Sequence, residues 1–131
     1  MLRRATVLAL AVVAASCAGT DDKVDTITGG GERVAVAPLV DAHSALCEAA
    51  NRPASAQALF FDRAHDSLHT VARAMEEVDR AQAAELLGAK EKVEAEIAAA
   101  PAGLPDDLLR LAEVYRASLG RLAIEASACD K

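Results

Sequence analysis

The sequence has no tryptophan, one tyrosine and two phenylalanines, and those three rings are its only aromatics besides histidine. A noncovalent haem wants an apolar pocket with aromatic walls and an axial ligand on each face. Phe60, Phe61 and Tyr115 do not supply the walls, and Met75 would share a helix with His65 and could not face it across a haem. Catalytic signatures are missing too. There is no Gly-rich phosphate loop, no nucleophile elbow, no HExxH zinc helix and no CxxCH haem attachment. The chain is therefore read as a non-enzyme. Basic residues number 14 against 20 acidic ones, for a net charge of −6, and no basic stripe interrupts that surface. Such a surface repels a phosphate backbone, which excludes nucleic acid as a partner. No apolar run is long enough to span a bilayer, since the longest, Ala5 to Ala15, falls well short of about 20 residues.

That short run has another reading. Arg3 and Arg4 give a basic start, the apolar stretch follows, and small residues close it, which is the plan of an export signal. The segment Val13-Ala14-Ala15-Ser16-Cys17 resembles the lipobox of bacterial lipoproteins. The resemblance implies a signal peptide over 1–16, cleavage before Cys17, and acylation of Cys17. Each buried methylene contributes about 0.8 kcal/mol, so palmitate-like chains would hold the protein on the membrane's extracytoplasmic face. Cleavage past Cys17, after the Ser16-Cys17-Ala18 triplet, would instead give a secreted protein. With Cys17 acylated, Cys47 and Cys129 remain as an even pair in an oxidising compartment, which predicts a disulfide between them.

Residues 17–33 carry Asp21, Asp22 and the run Gly29-Gly30-Gly31 without apolar periodicity, and read as a flexible tether. As a coil it would hold the domain roughly 20–25 Å from its anchor. The domain proper is expected over 34–131. There Ala, Leu, Glu and Arg dominate and no strand-like alternation survives, so the fold class is all-α.

The first helix has Val36, Leu39, Leu46 and Ala50 on one stripe and stops at Asn51-Arg52-Pro53, with Asn51 as a left-handed cap. The second carries Phe61, Ala64, Leu68, Val71, Met75 and Val78. The register breaks at Asp79, where Asp79 and Gln82 fit a capping box, and a third stripe uses Ala83, Leu86, Val93 and Ile97. An unbroken helix over 54–99 would be about 69 Å long without a partner of that length. The last helix opens at Pro105-Asp106-Asp107 and runs through Leu108, Leu111, Tyr115 and Leu122. The sum is a small up-down bundle, with four helices favoured over three. One feature favours three: in a simple four-helix bundle Cys47 and Cys129 lie at opposite poles unless the first helix crosses or the tail returns. Gly88 and Gly120 sit inside helices, where each costs about 1 kcal/mol unless it allows a close helix approach.

The chemistry-bearing stretch is Asp62-Arg63-Ala64-His65-Asp66-Ser67-Leu68-His69. His65 and His69 are one turn apart on one helix face, the spacing at which two imidazoles share a zinc, copper or iron ion. Asp62 and Asp66 stand beside them as further oxygen ligands or as partners fixing the imidazole tautomers. His43 lies on the first helix's stripe, four residues before Cys47, and is a supporting ligand or else a core imidazole bonded to a neighbour such as Tyr115. Cys47 cannot ligate while oxidised. Two functions are consistent with this: a tethered module binding a metal ion or small ligand, or a tethered module docking on another envelope protein through an exposed apolar patch around Phe60.

Overall fold

The computed structural model describes residues 24–130. The expected signal peptide, Cys17 and the first part of the expected tether lie outside the described residues. The rest is mostly helical, preceded by a short β-hairpin that was not expected.

The hairpin pairs β1 (Thr26–Gly29) with β2 (Glu32–Ala35), antiparallel, in a register that sets Ile27 opposite Val34. Gly30 and Gly31 form the two-residue turn, with φ of +59° and +82°. Positive φ at both central residues is the turn geometry that matches strand twist, and glycine adopts it without a Cβ penalty. The tether reading is thus corrected from Thr26 onward: the glycines that suggested disorder make a hairpin turn. Gly29 lies so close to the helical segment His65–Val78 that a Cβ there would be 3.2 Å from the Ala74 Cβ and 3.3 Å from the Thr70 carbonyl oxygen. Ile27 joins the core.

Helix α1 (Ala37–Asn51) starts with Pro38 in its first turn, where no amide hydrogen is needed. It buries Leu39, Ala42, Ala45, Leu46 and Ala49. Asn51 is helical, and the closing residue is Arg52, whose φ of −131° is not left-handed, so the expected Asn cap is not used. A 3₁₀ turn, Pro53–Ser55, leads into α2 (Ala56–Leu59), a π-turn (Phe60–Ala64) and α3 (His65–Val78), which follow one another without a break. The π-turn inserts an extra residue into the helical register. As a result Phe60, Ala64 and Leu68 share the buried face, while Phe61 is 44% exposed. Phe61 therefore leaves the predicted stripe and Phe60 enters it; Val78, the last residue of α3, is also exposed, although Leu68, Val71 and Met75 keep the expected register.

At Asp79 the backbone is extended and the side chain accepts from the Gln82 amide at 3.1 Å, capping α4 (Arg80–Glu96) as expected. The Gln82 side chain does not complete the box. It donates instead to the Val114 carbonyl and the Ser118 hydroxyl of α5 (Leu104–Arg121). Counting α2 to α3 as one rod, four helical segments stand among the described residues. Around the core, α1 packs on α5, α5 on α4, α4 on α3, and the α3 rod back on α1. Arg63 reinforces that last contact by pairing with Asp41 at 2.8 Å and Glu48 at 3.0 Å. Tyr115 is fully buried and its hydroxyl donates to the Leu39 carbonyl at 2.7 Å.

After α5 the chain reverses. Ala123 is left-handed at φ +60°, its amide bonds the Gly120 carbonyl, and the Ile124 amide reaches back to Leu119. This is a Schellman closure with alanine in the glycine position. The tail then returns to α1, where Cys129 is disulfide-bonded to Cys47, with Cα atoms 5.3 Å apart. A returning tail is what reconciles this bond with four helices. Gly88 and Gly120 have nothing within 4 Å of a Cβ position, so neither serves a close helix approach.

Candidate functional site

His65 opens α3 directly after the π-turn, and His69 follows one turn later. Their ring centroids are 4.7 Å apart and nearly perpendicular. Phe60 and Phe61 both make edge or tilted contacts with His65, so the π-turn packs the imidazole against an apolar shoulder. From the facing helix, α4, comes Glu94, whose Oε1 lies 3.0 Å from His65 Nε2. One ligand atom from each of His65, His69 and Glu94 falls within 4.8 Å of the others. Two imidazoles and a carboxylate at that separation are a donor set for a tetrahedral ion with one position left over.

Behind Glu94 stands Lys90, only 4% exposed, with Nζ 2.6 Å from the same Oε1. Lys90 occupies the register position between Leu86 and Val93 on the buried face of α4, where a charge must find a partner, and Glu94 is one turn away. Burial pushes the Glu94 carboxyl up, but the Lys90 and His65 contacts outweigh it and hold the group below its ordinary value. His69 is held below the ordinary histidine value, first by burial and then by the nearby Lys90 and His65. Both shifts favour protonation states that ligate metals: an ionised carboxylate and a neutral imidazole.

The structure separates the other expected ligands from this cluster. Asp66 is fully exposed and touches His65 only on the far side, 3.5 Å from Nδ1, where it can orient the ring. Asp62 is exposed, with no side-chain hydrogen bond or ion pair among the described residues. His43 belongs to a different corner. It is buried on α1, with both ring nitrogens 3.8–3.9 Å from Cys47 Sγ, and its ring stacks parallel to Tyr115 at 6.5 Å. The expected hydrogen bond to Tyr115 does not form among the described residues: the two rings stack, and the Tyr115 hydroxyl donates to the Leu39 carbonyl. Burial, followed by the charge of Arg116, holds His43 below its ordinary value. Glu94 and Lys90 escaped the sequence reading. Lys90 was visible as a charge on an apolar stripe, whereas the approach of Glu94 to His65 depends on how α3 and α4 meet.

An open groove of about 1050 Å³ lies between the hairpin and the returning tail, lined by Val24, Val36, Val40, Arg116 and Ile124 among others. None of His65, His69 and Glu94 borders it. Among the described residues the large exposed apolar side chains are Phe61 and Val78, at opposite ends of the π-turn and α3, and Leu109 on α5, while Phe60, the expected centre of an exposed patch, is itself buried. Compared with known proteins, the chain matches no family model, no curated protein and no solved structure. Among the described residues no helix is long and apolar enough to cross a membrane.

Proposed function

We propose that this protein is a lipid-anchored extracytoplasmic binding module, an up-and-down four-helix bundle that holds a divalent transition metal through His65, His69 and Glu94. The observation that carries the metal reading is the convergence of a helix-face histidine pair with a carboxylate from the facing helix, each ligand atom within 4.8 Å of the others. The oxygen and nitrogen set suits zinc first, with copper and iron as competitors. Lys90 then acts as an outer partner that fixes the Glu94 carboxylate, as ligating carboxylates commonly require. The anchor reading is supported by the lipobox-like run ending at Cys17 and by the disulfide, which belongs to an oxidising compartment.

Titration of the oxidised full chain with zinc against a chromophoric chelator tests the site. One equivalent should bind, and H65A, H69A and E94A should each weaken binding by at least about tenfold. Equal binding by wild type and the H65A/H69A variant removes the proposal. For the anchor, intact mass of membrane-extracted protein should show acylation lost in C17A, and an unmodified wild-type mass would refute it.

A further inference from the structure

His43 is a buried imidazole, 3% exposed, whose one side-chain polar partner among the described residues is a disulfide sulfur. It sits one turn before Cys47 on α1, so its distance from that sulfur is fixed by the helix. Cys129 is held differently. Beyond Ile124 no backbone hydrogen bond secures the tail among the described residues, and the disulfide is its covalent fastening.

We infer that reduction of Cys47–Cys129 turns this corner into a second metal site, in which His43, Cys47 and Cys129 take one zinc ion that the oxidised protein cannot hold there. Bond lengths of about 2.3 Å to sulfur and 2.0–2.1 Å to nitrogen put tetrahedral ligand atoms about 3.6 Å apart for nitrogen and sulfur and about 3.8 Å apart for two sulfurs. The His43 to Cys47 spacing of 3.8–3.9 Å already meets the first requirement. The second requires the two sulfurs to part, and the tail carrying Cys129, which has no backbone hydrogen bond beyond Ile124 among the described residues, is less restrained than the helix that carries Cys47. Both cysteines are half-buried, which leaves the fourth position to water.

The chemistry balances with a dithiol as reductant. Its thiolate attacks one sulfur, the S–S bond breaks, and two electrons and two protons pass to Cys47 and Cys129 as the dithiol closes to its own disulfide. Zinc then displaces one proton from each thiol, and both leave to solvent. Reoxidation reverses both steps and expels the ion. The inference does not depend on the His65 site.

The test uses the full chain carrying H65A and H69A, so that the first site is silent. Reduced with a phosphine, this protein should bind one zinc per chain at least about tenfold more tightly than its oxidised form, and cobalt should give a near-ultraviolet sulfur-to-metal absorption absent from the oxidised protein and weakened in C129S. H43L, which keeps the core filled and both thiols, should lower the reduced affinity by a similar factor. Circular dichroism guards against a trivial result: if reduction loosens the helices, zinc should restore them. Equal affinity in the two redox states, wild-type affinity in H43L, or zinc that binds without restoring lost helix would overturn the inference.

Discussion

Lys90 and Glu94 form an asymmetric pair, because the ammonium is buried while the carboxylate keeps some contact with water. Removing the carboxylate strands a charge in the core, whereas removing the ammonium leaves an acid that can hydrate. E94A should therefore cost about 2–3 kcal/mol in a denaturant titration, while K90M should stay within about 1 kcal/mol of wild type. The double variant should recover most of the E94A loss. His43 yields a pH prediction. Its pKa is held down in the folded protein, so below the usual value of about 6.5 the unfolded chain takes up a proton that the folded chain resists. Stability is thus full above pH 6.5 and declines as pH falls from there toward the depressed folded value, with His69 adding in the same direction. Unfolding midpoints at pH 7.5 and 5.5 should differ, and H43L should shrink the difference. At this scale the sequence showed which residues were unusual but not whom they meet. The i, i+4 spacing made His65 and His69 neighbours on paper, while Glu94 needed the packing of α3 against α4.

The helices end with alanine where glycine would fit and contain glycine where alanine would fit. Ala123 closes α5 at φ +60°, and Ala100 closes α4 at φ +46° with its amide on the Glu96 carbonyl and Pro101 next in the chain. Left-handed backbone costs an L-residue roughly 1–2 kcal/mol, which glycine avoids at some entropic expense. A100G and A123G should each raise stability by up to about 1 kcal/mol. Gly88 has open space around it, so G88A should gain a similar amount from helix propensity. Thermal melts of the three single variants check this, and a loss in any of them contradicts the cap or propensity argument for that position. Element boundaries were legible where a cap or breaker marks them, as at Asp79 and at Pro105. They were missed in two places for physical reasons. A π-turn adds one residue without leaving a breaker in the sequence, so it moved Phe61 out and Phe60 in. The hairpin was legible in principle, since Gly30-Gly31 lies between Ile27 and Val34 with the right alternation, but glycine-rich stretches support a turn and a linker equally.

For the whole molecule, the disulfide spans a sequence separation of 82 residues and ties the last residues to the first helix. On the chain-entropy model, closing such a loop stabilises the fold by about 4.5 kcal/mol, a large share of the stability of a domain this size. C47S/C129S should lower the unfolding free energy by up to that amount, read from the denaturant midpoint at unchanged slope. A change of less than about 1 kcal/mol would mean that the tail's packing through Ile124 holds the fold without the bond. Cysteine parity identified the pair, but the up-down four-helix reading of the sequence set the two residues at opposite poles. The contradiction disappears because seven residues of non-helical tail run back from Ile124 to Asp130, a return that carries no periodic signal.

That bond also decides how the protein would carry a load. A pull between Val24 and Asp130 reaches the disulfide after crossing only the hairpin and the first turns of α1, and the loop between Cys47 and Cys129 is bypassed. Stretched in an optical trap, the oxidised protein can lengthen by about 80 Å at most, while the reduced one pays out about 370 Å. The oxidised domain is in effect a short leash with a shielded body, and helices α3 and α4, where His65, His69 and Glu94 stand, lie off the covalent load path until the sulfur bond is cut.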